Sequence, residues 1–234
     1  MNVSRFIDKN IQFHDTLNPE VWNGTELDHE VRYHLLQIAE KFIESLEIED
    51  FPLMDIQLTG SMASYNYTPY SDFDVHVVYD HDDLGFDDKL VEQLFQAKKA
   101  IWNDHYPITI HGYSVELYAE SSKHPPVSNG TFSIIDNVWL TEPVKEKPTI
   151  DNHAVAAKTR DLMGSIDTVV SHDDIDGADS LRQKIIKMRK SGIAEAGMYG
   201  AENLAFKILR NQGFLAKLSK FIKNKTTQDL SLPQ

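Results

Sequence analysis

Leu58-Thr59-Gly60-Ser61-Met62-Ala63-Ser64-Tyr65-Asn66-Tyr67-Thr68-Pro69-Tyr70-Ser71-Asp72-Phe73-Asp74-Val75-His76-Val77-Val78 decides how the rest of the chain is read. Its end has the pattern of a β-strand. With period two, Asp72, Asp74 and His76 project from one face and Phe73, Val75 and Val77 from the other. Strands are poor in Asp, and two neighbouring carboxylates repel each other. A divalent cation would offset that cost. The Gly60-Ser61 turn upstream offers backbone N–H groups suited to phosphate. Metal and phosphate at one place point to nucleotide chemistry.

The arrangement Gly60-Ser61, a spacer of ten residues and Asp72-Phe73-Asp74 resembles the signature of the polymerase-β-like nucleotidyltransferase superfamily. The resemblance covers residues 50–120. It implies an α+β fold: a small mixed β-sheet core with flanking helices and a C-terminal helical region. It also implies a third carboxylate on a later strand. Glu116 is the best match, in the alternating run Tyr113-Ser114-Val115-Glu116-Leu117-Tyr118, and Glu120 is its rival at the same strand parity.

The implied activity is metal-dependent transfer of NMP from an NTP to a hydroxyl, with release of pyrophosphate. Asp72, Asp74 and Glu116 would be catalytic residues and ligands of two Mg²⁺ or Mn²⁺ ions, which in such sites lie roughly 3.5–4 Å apart. Glu116 would complete the second metal site and take up the hydroxyl proton. Gly60 would let the backbone approach the phosphates, Ser61 would donate to them, and Ser71 would support the loop beside the nucleotide. A helical lysine often reaches the triphosphate in this superfamily, which makes Lys184, Lys187 and Lys207 the candidates here. The acceptor is left open among an RNA end, a protein, a small molecule and a second nucleotide. The rival readings are a non-catalytic nucleotide-binding module and an antitoxin-like partner protein of the same fold.

Composition narrows the setting. The 234 residues, 41% of them hydrophobic, suffice for one α/β domain with a helical extension. Neither an apolar run of eighteen residues nor a secretory leader is present, and there is no cysteine, so a cytoplasmic protein without a membrane segment is expected. A homo-oligomer remains open. The net charge of −13 argues against a general nucleic-acid binder. Residues 181–234, however, carry 11 Lys plus Arg against 3 Asp plus Glu, which leaves the acidity in residues 1–180. An acidic metal-binding part and a basic, phosphate-facing part follow.

Two domains are expected: residues 1–145 as the catalytic core with an N-terminal helix, and residues 146–234 as a helical region completing the nucleotide site. Thr25-Glu26-Leu27-Asp28 reads as a capping box opening a helix to about residue 47. Strands are expected near 54–58, 72–79, 108–118 and 132–135. One helical turn is expected within 61–67, and helices near 87–103, 150–170, 179–191 and 201–222. Pro125-Pro126 falls in a loop. Tyr65, Tyr67 and Tyr70 could stack on a base, or pack. Asp80, Asp82 and Gly85 do not have EF-hand spacing, and His172-Asp173 sits in a polar loop unsuited to a metal phosphohydrolase.

Overall fold

The computed structural model describes residues 4–85, 87–123, 128–145 and 147–232. Pro125-Pro126 lies outside them. The elements in chain order are α1 (Ser4–Asn10), β1 (Trp22–Asn23), β2 (Glu26–Leu27), α2 (His29–Leu46), β3 (Leu53–Thr59), β4 (Phe73–Tyr79), α3 (His81–Leu84), α4 (Asp88–His105), β5 (Thr109–Ile110), β6 (Tyr113–Ser121), β7 (Thr131–Ser133) and β8 (Val138–Thr141). They continue with α5 (Asn152–Ser171), α6 (Ile175–Ala196), α7 (Ala201–Asn211) and α8 (Phe214–Leu230). The fold is α+β, as the resemblance implies.

The chain divides into two compact units. One is Phe13–Glu146; the other joins Met1–Gln12 to Lys147–Gln234. The helix α1 therefore belongs with the C-terminal helices, not with the sheet. Ile7 is buried among Val155, Ile166, Ile208 and Leu209, a purely helical core.

In the first unit a six-stranded sheet has the order β5-β6-β4-β3-β7-β8. It is antiparallel except between β4 and β6, which run parallel with α3 and α4 in the connection between them. A parallel pair requires such a crossover. Leu58, Phe73, Val75, Val77, Leu117 and Phe132 bury one face of the sheet with Val31, Leu35, Ala39 and Phe42 of α2. The other face carries the acids.

Several local expectations are corrected. The helix α2 opens at Asp28, whose side chain accepts from the amides of Glu30 and Val31. Thr25 is not its cap, because Glu26 and Leu27 pair with Asn23 and Trp22 in a β-ribbon. Residues 61–67 form turns, not a helical turn. Their backbone is tied elsewhere: Trp22 Nε1 donates to the Met62 carbonyl at 2.8 Å. The strand expected over 108–118 is a hairpin, since His111 and Gly112 both take positive φ, the geometry of a two-residue turn. The strand near 132–135 is β7, and it continues into β8 through a second hairpin. The helix expected over 201–222 is two helices. Gly213, at φ 78°, is the left-handed break between them. Asp80, set aside as a calcium ligand, caps α3, and Asp82 pairs with Lys123. His172 caps the end of α5, and Asp173 pairs with Lys225.

Candidate active site

Asp74 lies on β4 directly beside Glu116 on β6, in the parallel register Asp74↔Glu116, His76↔Tyr118, Val78↔Glu120. Residues paired in this way share a face, so strand parity alone puts the two carboxylates side by side. Asp72 precedes β4 by one residue and turns to the same place. Ligand oxygens of Asp72, Asp74 and Glu116 all lie within 4.8 Å of one another. Glu120 is not in this set; its Oε2 is 3.5 Å from Nδ1 of buried His76.

Three converging carboxylates strain each other when ionised. Burial, then the charge of Asp72, pushes the Asp74 carboxyl up to about 6, with Glu116 adding to the effect. His76 and the Tyr118 hydroxyl oppose that rise. A set of hard, partly buried oxygen ligands fits a divalent cation such as Mg²⁺ or Mn²⁺.

The Gly-Ser turn is built around Asp74. Gly60 has φ +74°, and a Cβ there would lie 2.0 Å from Asp74 Oδ2. Only glycine fits against that carboxylate in that conformation. The Gly60 N–H donates to Ser128 Oγ at 3.1 Å. Ser61 Oγ donates to Ser71 Oγ at 2.7 Å, and the Thr68 amide donates to the same Ser71 oxygen at 2.9 Å. Ser71 thus fastens the loop that delivers Asp72. Asn129 Nδ2 donates to Ser64 Oγ at 3.1 Å and so ties the loop after β6 to this turn.

Of the expected residues, Gly60, Ser61, Ser71, Asp72, Asp74 and Glu116 meet in the sheet unit. Lys184 and Lys187 are exposed on α6, and Lys207 is half-buried on α7, all three in the helical unit. Tyr67 stacks on His14 with centroids 3.8 Å apart, and Lys145 Nζ lies 4.9 Å from the Tyr65 ring centroid.

Two residues of this site were missed in the sequence. The Tyr118 hydroxyl donates to Glu116 Oε2 at 2.7 Å and lies 3.3 Å from Asp74 Oδ1. Burial and the neighbouring carboxylates hold its hydroxyl far above the ordinary phenol range, so it stays a donor. Lys99 of α4 places Nζ 3.6 Å from the Tyr118 ring centroid. Burial draws the Lys99 ammonium down, and the charges of Glu116, Asp74 and Glu120 work against that. Strand parity placed Tyr118 on the acidic face, which is a readable signal; nothing in the sequence ties Lys99 to it.

Residues 37–132 match the family model described as a nucleotidyltransferase domain. The match runs from within α2 to β7 and contains Gly60, Ser61, Ser71, Asp72, Asp74 and Glu116. This part of the chain is therefore similar to a nucleotidyltransferase domain, as the Gly-Ser and Asp-x-Asp motif implied. No curated protein matches the chain. Among solved structures, the chain is similar to that of a STING-associated CdnE c-di-GMP synthase from Capnocytophaga granulosa. Identity is 10%, covering 97% of this chain and 100% of that one, with a TM-score of 0.24, too low to support a shared architecture. Among the described residues no helix is long and apolar enough to cross a membrane.

Proposed function

We propose that this chain is a divalent-metal-dependent nucleotidyltransferase that moves NMP from an NTP to a hydroxyl acceptor and releases pyrophosphate. The observation that carries this reading is the meeting of Asp72, Asp74 and Glu116 within 4.8 Å beside the Gly60-Ser61 turn. Asp72, Asp74 and Glu116 would hold the metal. When bound, it supplies charge neutralisation for the triphosphate and acidifies the attacking hydroxyl.

The chain's own groups do the rest. Ser61 swings its hydroxyl from Ser71 to a phosphate oxygen. Glu116 accepts the proton of the acceptor hydroxyl, directly or through water. The acceptor oxygen forms a bond to the α-phosphorus as the bond to the β-phosphate oxygen breaks, and pyrophosphate leaves. Most of the acceleration comes from positioning and charge compensation. The acceptor is to be found among RNA ends, proteins, small molecules and nucleotides.

The test is transfer of label from each NTP, radioactive at the α-phosphate, to components of a cell extract with Mg²⁺ or Mn²⁺. Wild type should transfer label, and Asp72→Ala/Asp74→Ala should lose about 10³-fold or more, since metal stabilisation of the transition state is worth several kcal/mol. The labelled species identifies the acceptor class. Binding of NTP and metal by wild type with no transfer of any label would favour the non-catalytic module instead.

A further inference from the structure

Glu116 is not free to choose its own orientation. Two residues on, at the same strand parity, Tyr118 donates its hydroxyl hydrogen to Glu116 Oε2 at 2.7 Å. The Tyr118 hydroxyl oxygen also lies 3.3 Å from Asp74 Oδ1, on the neighbouring strand. A phenol has one hydrogen to give, so the shorter contact holds it and the longer one is a weak second acceptor. One hydroxyl therefore touches two of the three clustered carboxylates.

The ring bearing that hydroxyl is itself held. His76 of β4 stacks on it at 4.7 Å between centroids, with the planes 11° apart. Lys99 of α4 places its ammonium 3.6 Å from the ring centroid, a cation–π contact. The helix α4 is fixed to β6 one turn further along. Asn103 Oδ1 accepts from the Leu117 amide at 3.1 Å, and Asn103 Nδ2 donates to the Leu117 carbonyl at 3.3 Å. Lys99 and Asn103 are four apart and share one helix face. The side-chain amide that closes the edge of β6 thus also carries Lys99 to Tyr118.

We propose that Tyr118 is a positioning residue for the metal site: its hydroxyl locks the Glu116 carboxylate beside Asp74 before any cation arrives, and this raises the affinity of the acidic set for a divalent metal. The proposal rests on the reading of Asp72, Asp74 and Glu116 as metal ligands. Outer partners that orient a ligating carboxylate commonly matter about tenfold or more for metal affinity. Lys99 contributes a nearby positive charge that tempers the repulsion among the acids in the metal-free protein.

The experiment is Mn²⁺ binding to the full chain without nucleotide, followed by electron paramagnetic resonance. The proteins compared are wild type, Tyr118→Phe, Glu116→Gln and the double variant, with Asp72→Ala/Asp74→Ala as a further control. Phenylalanine keeps the ring contacts with His76 and Lys99, and a thermal melt confirms the fold of each. Tyr118→Phe should weaken Mn²⁺ binding about tenfold. The same change made on top of Glu116→Gln should cost little, because the tyrosine acts through that carboxylate. Affinity within twofold of wild type in Tyr118→Phe would overturn the proposal while leaving the metal site standing. An equal loss with and without Glu116 would also overturn it, since the tyrosine would then act by another route. If wild type and Asp72→Ala/Asp74→Ala bind Mn²⁺ equally poorly, the metal-site reading itself fails and takes the proposal with it.

Discussion

Asp74 is where the electrostatic cost of the acidic cluster concentrates. It faces Glu116, lies near Asp72, and presses on the bare Cα of Gly60. Its carboxyl is pushed up to about 6, above the 3.8 of an unperturbed aspartate, with burial the larger cause and Asp72 the next. Between those two values the folded chain keeps a proton that the unfolded chain has released. This group's contribution to stability therefore falls as pH rises through that window, and its full cost is present above about pH 6. Asp74→Asn removes the cost. In the metal-free protein the variant should be more stable than wild type by about 1–2 kcal/mol at pH 7.5, allowing for partial solvent screening, and the gap should close by pH 4. Urea unfolding in chelator at both pH values checks this. A gap that is equal at both, or larger at pH 4, would contradict the account.

The strand β6 is the element on which the site depends, because it carries Glu116 and Tyr118 and has β4 on one side only along most of its length. An open strand edge exposes unpaired backbone groups. Asn103 answers for this at Leu117, pairing with both its N–H and its C=O. Asn103→Leu keeps the bulk and removes both partners. It should cost about 1–3 kcal/mol of stability, the penalty for part-buried backbone groups left unsatisfied. It should also speed amide exchange at Leu117 relative to Val75 in the centre of the sheet. Unchanged exchange at Leu117 would mean that water serves the edge equally well. The alternation of β3, β4 and β6 was legible in the sequence because period two is a local property. The hairpin turn at His111-Gly112 and the helix break at Gly213 were not read, although both rest on backbone conformations that glycine favours. Across Gly213 the helical spacing of apolar residues continues from Leu204 and Ile208 to Leu215, Leu218 and Ile222 and masks the break, whereas at His111-Gly112 the alternation changes parity between Ile108-Ile110 and Tyr113-Val115-Leu117, a local signal of the turn.

At the scale of the whole molecule, two hydrophobic cores and two charge balances coexist in one chain. The core of the sheet unit centres on Leu58, Phe73 and Phe132, and that of the helical unit on Ile166, Ile185 and Ile208. Residues 181–234 hold 11 basic against 3 acidic side chains in a protein of net charge −13. The division near residue 146 falls in the charged, proline-flanked stretch that precedes the long helices. The placement of Met1–Gln12 with those helices was not, because Ile7 meets Val155 and Ile208 across more than a hundred residues of sequence. By itself the sequence determined the acidic face: Asp74 and Glu116 by strand parity, and Gly60-Ser61 by its turn chemistry. Only the tertiary structure decided what surrounds that face. It chose Glu116 over Glu120, set Tyr118 on Glu116, and brought Lys99 from a helix to that tyrosine. Those choices depend on strand register and helix docking, which arise between distant segments and leave no periodic trace along the chain.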